Sequence, residues 1–273
     1  TLLRDTFRRL LRRHANSNII KLIGKTHPAE MALIYQYFND EEQDTIFAMM
    51  PPSEESVEFL SELDESITVR LLDQVTPQRM ATILEEASSN EIAHLMGLVN
   101  EDYAAAVIDL LQAEEQEKLE EIIAYPEDSA GRLMYTDVFT LHEETKAIDA
   151  IAALQDQEEA EMVFYLYAVD DDKRLTGVVS LRDLVTTSSD TTLEDIMSRK
   201  VHSVRPETDQ EEVAMIVSQY NFLAVPVVDA EDQLLGIITV DDVVDIIREE
   251  ATEDFLQMVG AGKDREILLK SSW

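Results

Sequence analysis

The first half of this 273-residue sequence repeats with a period of 12 residues. Units starting at Asp40, Pro52, Asp64, Thr76, Ser88, Asn100 and Gln112 place Phe47, Phe59, Leu71, Ile83, Leu95, Val107 and Leu119 at their eighth position, apolar every time. From the unit at Pro52 onward, the closing position carries Leu63, Val75, Ala87, Val99, Leu111 and Ile123. Most units open on a residue that caps or starts a helix, and acids follow early, where the positive end of the helix dipole favours them. Such a unit accommodates one helix of about nine residues and a tight turn. A helix that short cannot bury its apolar stripe alone, so the units are expected to stack into an α-solenoid with the stripe as core. A repeat of this kind predicts a scaffold and says nothing about chemistry.

The second half repeats in another way. Residues 134–145 (MYTDVFTLHEET) align with 197–208 (MSRKVHSVRPET) at an offset of 63, and 175–183 (LTGVVSLRD) with 234–242 (LLGIITVDD) at an offset of 59. Each copy reads as a short strand, then a helix (146–157; 209–220). Two apolar strands around a polar turn follow (163–169 and 175–180; 224–228 and 234–239), then a second helix. Gly177 and Gly236 are equivalent, and Gly131 sits where the solenoid joins the first copy.

Charge comes next, because it is uneven. The net charge is −35, yet residues 1–27 hold seven bases (Arg4, Arg8, Arg9, Arg12, Arg13, Lys21, Lys25) against Asp5 alone, a balance of +6 that leaves −41 on the rest. A surface that acidic repels nucleic acid and anionic lipid and attracts cations. Its plainest reading is a solvated face that aids solubility. The acids also cluster, however: residues 241–254 hold seven of them and one base, Arg248. On a helix capped by Thr239, Asp242, Asp245, Glu249 and Glu253 fall within an arc of about 80°. Like charges so placed destabilise a helix. Mg²⁺ takes one or two carboxylates directly and keeps several waters. This face is therefore a candidate low-affinity cation surface, with a simply solvated face as the alternative.

Other chemistries find no support. There is no cysteine, which excludes disulfides and thiolate metal sites and fits a reducing compartment. The five histidines (His14, His27, His94, His142, His202) show no metal-ligand spacing. A Gly-rich phosphate loop and a G-x-S-x-G motif are both missing, and the chain reads as a non-enzyme. The longest apolar run, residues 162–169, falls far short of the roughly 20 residues of a membrane-spanning helix. Nothing at the start resembles a signal peptide, and both ends are expected to be boundaries within a longer protein. The basic stretch 7–13 (FRRLLRR) reads as a short amphipathic helix. It suits anionic lipid head groups, the acidic body of the protein, or simply a solvated first helix of the solenoid.

The β-α-β-β-α duplication, with Gly-hydrophobic-hydrophobic-Ser/Thr-x-x-Asp closing each half at 177–183 and 236–242 and the strand Val225-Pro-Val-Val-Asp229, resembles a tandem pair of CBS domains. A helical superhelix, then Tyr125-Pro-Glu-Asp-Ser-Ala-Gly-Arg-Leu-Met134, then that pair, then Glu250-Ala-Thr-Glu-Asp254, resembles the cytosolic part of MgtE magnesium channels over nearly the whole chain after residue 27. The resemblance implies a multidomain α plus α/β fold: an α-helical N domain at 1–127, CBS domains at 128–196 and 197–248, and a connecting plug helix at 249–273 leading to a membrane domain. It also implies a homodimer through the CBS domains. The full-length protein would sit in the cell membrane, with this region on the cytoplasmic side.

Carried over residue by residue, the family's regulatory Mg²⁺ sites fall on Glu58, Glu211, Asp242, Asp245, Glu250, Glu253 and Asp254, to which the helical arc adds Glu249. Asn90, His94 and Asn221 stand where the family can have aspartates. Asn keeps a carbonyl ligand but loses the charge, and His is a poor Mg²⁺ ligand, so fewer or weaker bridges between N domain and CBS pair are expected. The implied mechanism is an electrostatic switch in which Mg²⁺ bridges acidic faces and closes the pore.

An adenine nucleotide such as ATP is a second ligand to consider. Asp183 and Asp242 end motifs that hold a ribose in many CBS pairs, and Ser180 and Thr239 are candidate phosphate contacts. Both hydroxyls are equally ordinary helix caps, and Asp242 cannot easily serve both ligands. Two rival readings remain: a soluble CBS-pair adenine-nucleotide sensor regulating a partner protein, and an α-solenoid interaction scaffold indifferent to Mg²⁺.

Overall fold

Helix caps set the pitch of the first half in the computed structural model, which describes residues 2–156, 165–244 and 246–247. Ten helices are described there: α1 (Leu2–Arg12), α2 (Asn16–Ile23), α3 (Pro28–Tyr35), α4 (Asp40–Ala48), α5 (Glu54–Ser61), α6 (Glu65–Leu72), α7 (Pro77–Ile83), α8 (Ser89–Gly97), α9 (Glu101–Ile108) and α10 (Ala113–Ile123). The N-caps of α4 to α9 are Asn39, Ser53, Asp64, Thr76, Ser88 and Asn100. From Asp64 onward these caps coincide with the unit starts of the repeat. Asn39 illustrates the device: its Oδ1 accepts from the Glu42 amide at 2.9 Å while Glu42 accepts from the Asn39 amide at 3.3 Å, so two otherwise orphaned N–H groups are satisfied.

All seven eighth-position residues are buried, none more than 4% exposed. The closing positions grade from buried Leu63 and Val75 through half-buried Ala87, Val99 and Leu111 to exposed Ile123. One apolar core runs from Phe7 to Ile122. Within it Tyr35 is fully buried, and its ring makes edge contacts with Phe38 and Phe59 at centroid distances of 6.4 and 5.0 Å. The chain divides into two compact units between Ile122 and Ile123.

The second unit holds α11 (Ala130–Leu133), β1 (Thr140–His142), α12 (Ala147–Asp156), β2 (Tyr165–Val169), β3 (Leu175–Ser180), α13 (Leu181–Thr186), α14 (Leu193–Ile196), α15 (Gln210–Tyr220), β4 (Ala224–Val228) and β5 (Leu234–Thr239). Residues 240–244 and 246–247 are helical. β1 runs parallel to β2, β2 pairs antiparallel with β3, and β4 pairs antiparallel with β5. The β-α-β-β-α plan is thus realised, with one difference between the copies. The first strand of the second copy shrinks to a single parallel bridge, Val204 to Val227. In the first copy the Glu143 amide continues the ladder to the Val169 carbonyl at 2.9 Å. Its equivalent in the second copy is Pro206, which has no N–H to donate.

The two copies are interlocked. The segment leading into the first copy packs on the second: Met134 and Ala130 lie in the core of Val213, Val225, Val227 and Ile238. The segment leading into the second copy packs on the first, with Leu193 and Met197 in the core of Leu166, Ala168 and Val179. Backbone bonds repeat this exchange. Tyr135 and Ile237 trade N–H···O bonds at 2.8 and 2.9 Å, as Ser198 and Val178 do at 2.9 and 3.1 Å. The expected connecting helix at 249–273 lies outside the described residues.

Candidate functional site

Glu58 is the predicted cation ligand of the solenoid. It lies on α5, whose first turn is acidic through Glu54 and Glu55. Its Oε1 stands 3.8 Å from Nδ1 of His27. Burial raises the Glu58 carboxyl above the ordinary carboxylate range; Glu62, Glu54 and Glu55 push the same way, and His27 pulls against them. Its negative charge is thus disfavoured where it stands, and an approaching cation relieves that penalty.

The second predicted group lies where each copy of the β-α-β-β-α unit turns from strand into helix. In the first copy, Ser180 Oγ accepts from the Asp183 amide at 3.1 Å and donates to Asp183 Oδ2 at 2.7 Å. In the second, Asp242 Oδ2 accepts from the Thr239 amide at 3.2 Å and from the Thr239 hydroxyl. Both Ser/Thr-x-x-Asp motifs therefore hold a first helical turn, as ordinary helix caps do. They differ in access: Thr239 is 3% exposed, whereas Asp183 is exposed at the surface. Glu211 sits on the first turn of α15, where its amide donates to Asp209 Oδ1 at 2.9 Å.

Glu58 belongs to the first unit, and Glu211 and Asp242 to the second. Among the described residues, no three His, Asp or Glu side chains form a group able to hold a metal ion. Asp245, Glu249, Glu250, Glu253 and Asp254 lie outside the described residues. The donor type of the three described candidates, carboxylate oxygen, suits a hard divalent cation that keeps most of its waters.

Asn90 and His94 lie on α8. Asn221 has a structural reason that sequence reasoning missed. It is the C-cap of α15, at φ 53° and ψ 43°, and its amide donates to the Val217 carbonyl. In that left-handed conformation Asn is among the few side chains readily accepted. An Asn directly after a long helical pattern was the available signal.

Among the described residues, no helix is long and apolar enough to cross a membrane. Family models match the chain twice over: the MgtE intracellular N domain at residues 26–128, and the CBS domain at 130–190 and 193–249. The magnesium transporter MgtE of Thermus thermophilus is 34% identical over 238 residues, covering 86% of this chain and 53% of that protein. MgtE of Bacillus subtilis (strain 168) is 29% identical over 244 residues, 89% of this chain and 54% of the relative. The chain thus spans about half the length of these curated relatives. Among solved structures, the cytosolic domain of the Mg²⁺ channel MgtE in complex with ATP superposes with a TM-score of 0.83 at 32% identity, covering 89% of this chain and 99% of that one. The soluble part of a magnesium transporter gives 0.79 at 30% identity, covering 91% and 98%.

Proposed function

The chain belongs to the MgtE family and is the cytosolic region of such a protein, and on that premise we propose that it senses Mg²⁺ and gates a magnesium channel. The observation that carries this reading is the concentration of seven acids against one base at 241–254, directly after the last strand of the CBS pair and its helix cap. The disfavoured charge of Glu58 supports it from the solenoid side.

In this reading the carboxylates repel one another when Mg²⁺ is scarce. When Mg²⁺ is abundant, hydrated ions are shared among Glu58, Glu211, Asp242 and Asp245, and Glu249, Glu250, Glu253 and Asp254 of the plug segment, which favours the closed pore. Weak sites suffice. An ion at a hundred times its Kd stabilises the state it binds by about 2.7 kcal/mol. Two such sites supply the roughly 5.5 kcal/mol that carries a two-state equilibrium from 1:99 to 99:1. The working assembly is a homodimer through the CBS domains, joined to its own transmembrane domain in the cell membrane, with this region facing the cytoplasm.

A relative's ATP complex supports an adenine nucleotide as a second ligand, with Ser180, Asp183 and Thr239 as contacts. Asp183, the exposed member, is the residue most accessible to a ribose.

Small-angle scattering during a Mg²⁺ titration, with K⁺ at matched ionic strength as control, tests the main reading. Compaction specific to the divalent ion is expected, weakened by Asp245→Ala and by Glu253→Ala. A radius of gyration that ignores Mg²⁺ but responds to ATP would instead make the chain a nucleotide sensor.

A further inference from the structure

Among the described residues, five cations near the start of the chain make no ion pair in a protein that holds 57 acids. On α1, Phe7 is fully buried and Leu3, Leu10 and Leu11 pack against the core, so Arg9, Arg12 and Arg13 share the opposite, exposed face. Arg4 and Arg8 are engaged: Arg4 pairs with Asp5 at 3.2 Å, and Arg8 donates to the Tyr37 carbonyl at 2.6 Å and approaches Glu42 at 3.5 Å. Arg9, Arg12, Arg13, Lys21 and Lys25, by contrast, make no ion pair among the described residues, and all five are exposed. The α1 arginines border a concavity of about 430 Å³ lined by Asp5, Arg8, Arg9, Arg12 and Arg13.

Apolar exposure coincides with this charge. Leu2, Ile20, Leu33 and Tyr37 are 84%, 47%, 65% and 56% exposed, and no other large apolar side chain of the solenoid is exposed before Leu110 among the described residues. Arg4 lies over the Tyr37 ring at 5.8 Å, so at least one of these side chains adjoins the basic helix directly.

We infer that this region, the arginine face of α1 with Lys21 and Lys25, docks on an anionic lipid surface. An acidic protein patch would satisfy the charges but offers nothing to the isoleucine and tyrosine, whereas a membrane interface takes both kinds of side chain. The −41 carried by the rest of the chain is repelled by such a surface, so the basic face alone is turned toward it. Each cation near an anionic leaflet strengthens binding about fivefold.

Vesicle co-sedimentation of the whole 273-residue protein in EDTA tests this. Binding is expected on vesicles containing phosphatidylglycerol, not on pure phosphatidylcholine, with release at high salt. The triple variant Arg9→Gln, Arg12→Gln, Arg13→Gln should bind about a hundredfold more weakly with an unchanged thermal transition. Ile20→Ser, a milder change, should weaken binding several-fold and leave its salt dependence intact. Equal binding to both vesicle types, or a triple variant that binds like the parent, would overturn the inference. So would release by millimolar inorganic phosphate at constant ionic strength, which marks a small-anion site. A triple variant that changes the protein's own scattering profile without vesicles would assign the arginines to an acidic protein surface, again overturning it. None of these outcomes touches the Mg²⁺ reading, whose residues lie elsewhere in the chain.

Discussion

The two CBS copies share a backbone plan and even a bonding scheme, yet they use their side chains differently. Ala130 and Gly131 donate to the carbonyls of Thr208 and Pro206, as Leu193 and Glu194 donate to those of Thr145 and Glu143, all at 2.7–2.9 Å. Where the first copy closes its ladder with the Glu143 amide, the second has Pro206, and Arg205 Nη1 reaches the Val228 carbonyl at 3.3 Å in its place. Where the first has an exposed Asp183, the second has a pair built around a buried Thr239. Duplication has kept the hydrogen-bond scheme of the backbone while leaving each cap and edge to take its own chemistry. The second copy, whose last helix begins the acidic segment, has the more buried hydroxyl at its helix start.

The harshest way to break the equivalence is to add one methyl group to each matched glycine. A Cβ on Gly236 would stand 2.5 Å from the Tyr135 carbonyl oxygen and 2.9 Å from Met134 Cγ. Tyr135 is held by two backbone bonds to Ile237, so its oxygen cannot retreat, and Gly236→Ala is expected to cost about 3 kcal/mol. On Gly177 the three nearest atoms all belong to the Met197 side chain, Sδ closest, then Cγ at 2.6 Å and Cβ at 3.0 Å; the first two can swing away and only Cβ must give slightly, for a cost of about 1 kcal/mol. Urea unfolding of both variants reads the difference. Equal losses would mean that the interlock at Tyr135 is looser than its geometry.

That interlock was not legible in the sequence, although its ingredients were. The 12-residue period specified the solenoid from α4 to α10, because each unit's cap and eighth residue act locally, while α1 to α3 lie outside it. In the second half, the strands at 175–180, 224–228 and 234–239 were legible from apolar runs and turns. The pairings of Met134 with Gly236 and of Met197 with Gly177 were visible only as two offsets, 63 and 59. Nothing in a pattern says that a segment packs on the copy it does not introduce, since the Met134–Gly236 contact joins distant parts of the chain and neither contact has a local signature. Asn221 shows the same limit for the candidate site. Read by charge it was a weakened ligand, whereas its backbone angles make it a helix terminator.

A gentler comparison separates cap from ligand. Asp183→Asn and Asp242→Asn each weaken a helix start, and without Mg²⁺ each should cost about 1 kcal/mol. If Asp242 also shares a cation, its variant alone should move the Mg²⁺ midpoint for compaction to higher concentration, with Asp183→Asn superimposing on the parent curve. Identical midpoints for all three proteins would confine Asp242 to its role as a cap.

The smallest effect belongs to Arg205 and Pro206, and there the sign of a coupling matters more than its size. Arg205→Ala removes the bond to the Val228 carbonyl and an exposed 2.9 Å pair with Asp232, for about 0.5 kcal/mol. Pro206→Ala in the parent frees the unfolded chain and gains little while Arg205 holds that carbonyl, so it should also destabilise by about 0.5 kcal/mol. Together the changes return the second copy to the first copy's arrangement, in which the amide after the strand donates to the neighbouring carbonyl, as Glu143 does to Val169. The double variant should then be more stable than the sum of its parts by about 0.5–1 kcal/mol in a double-mutant cycle. A coupling of zero would mean that Arg205 acts only through Asp232, and that the second copy's lost strand has no substitute.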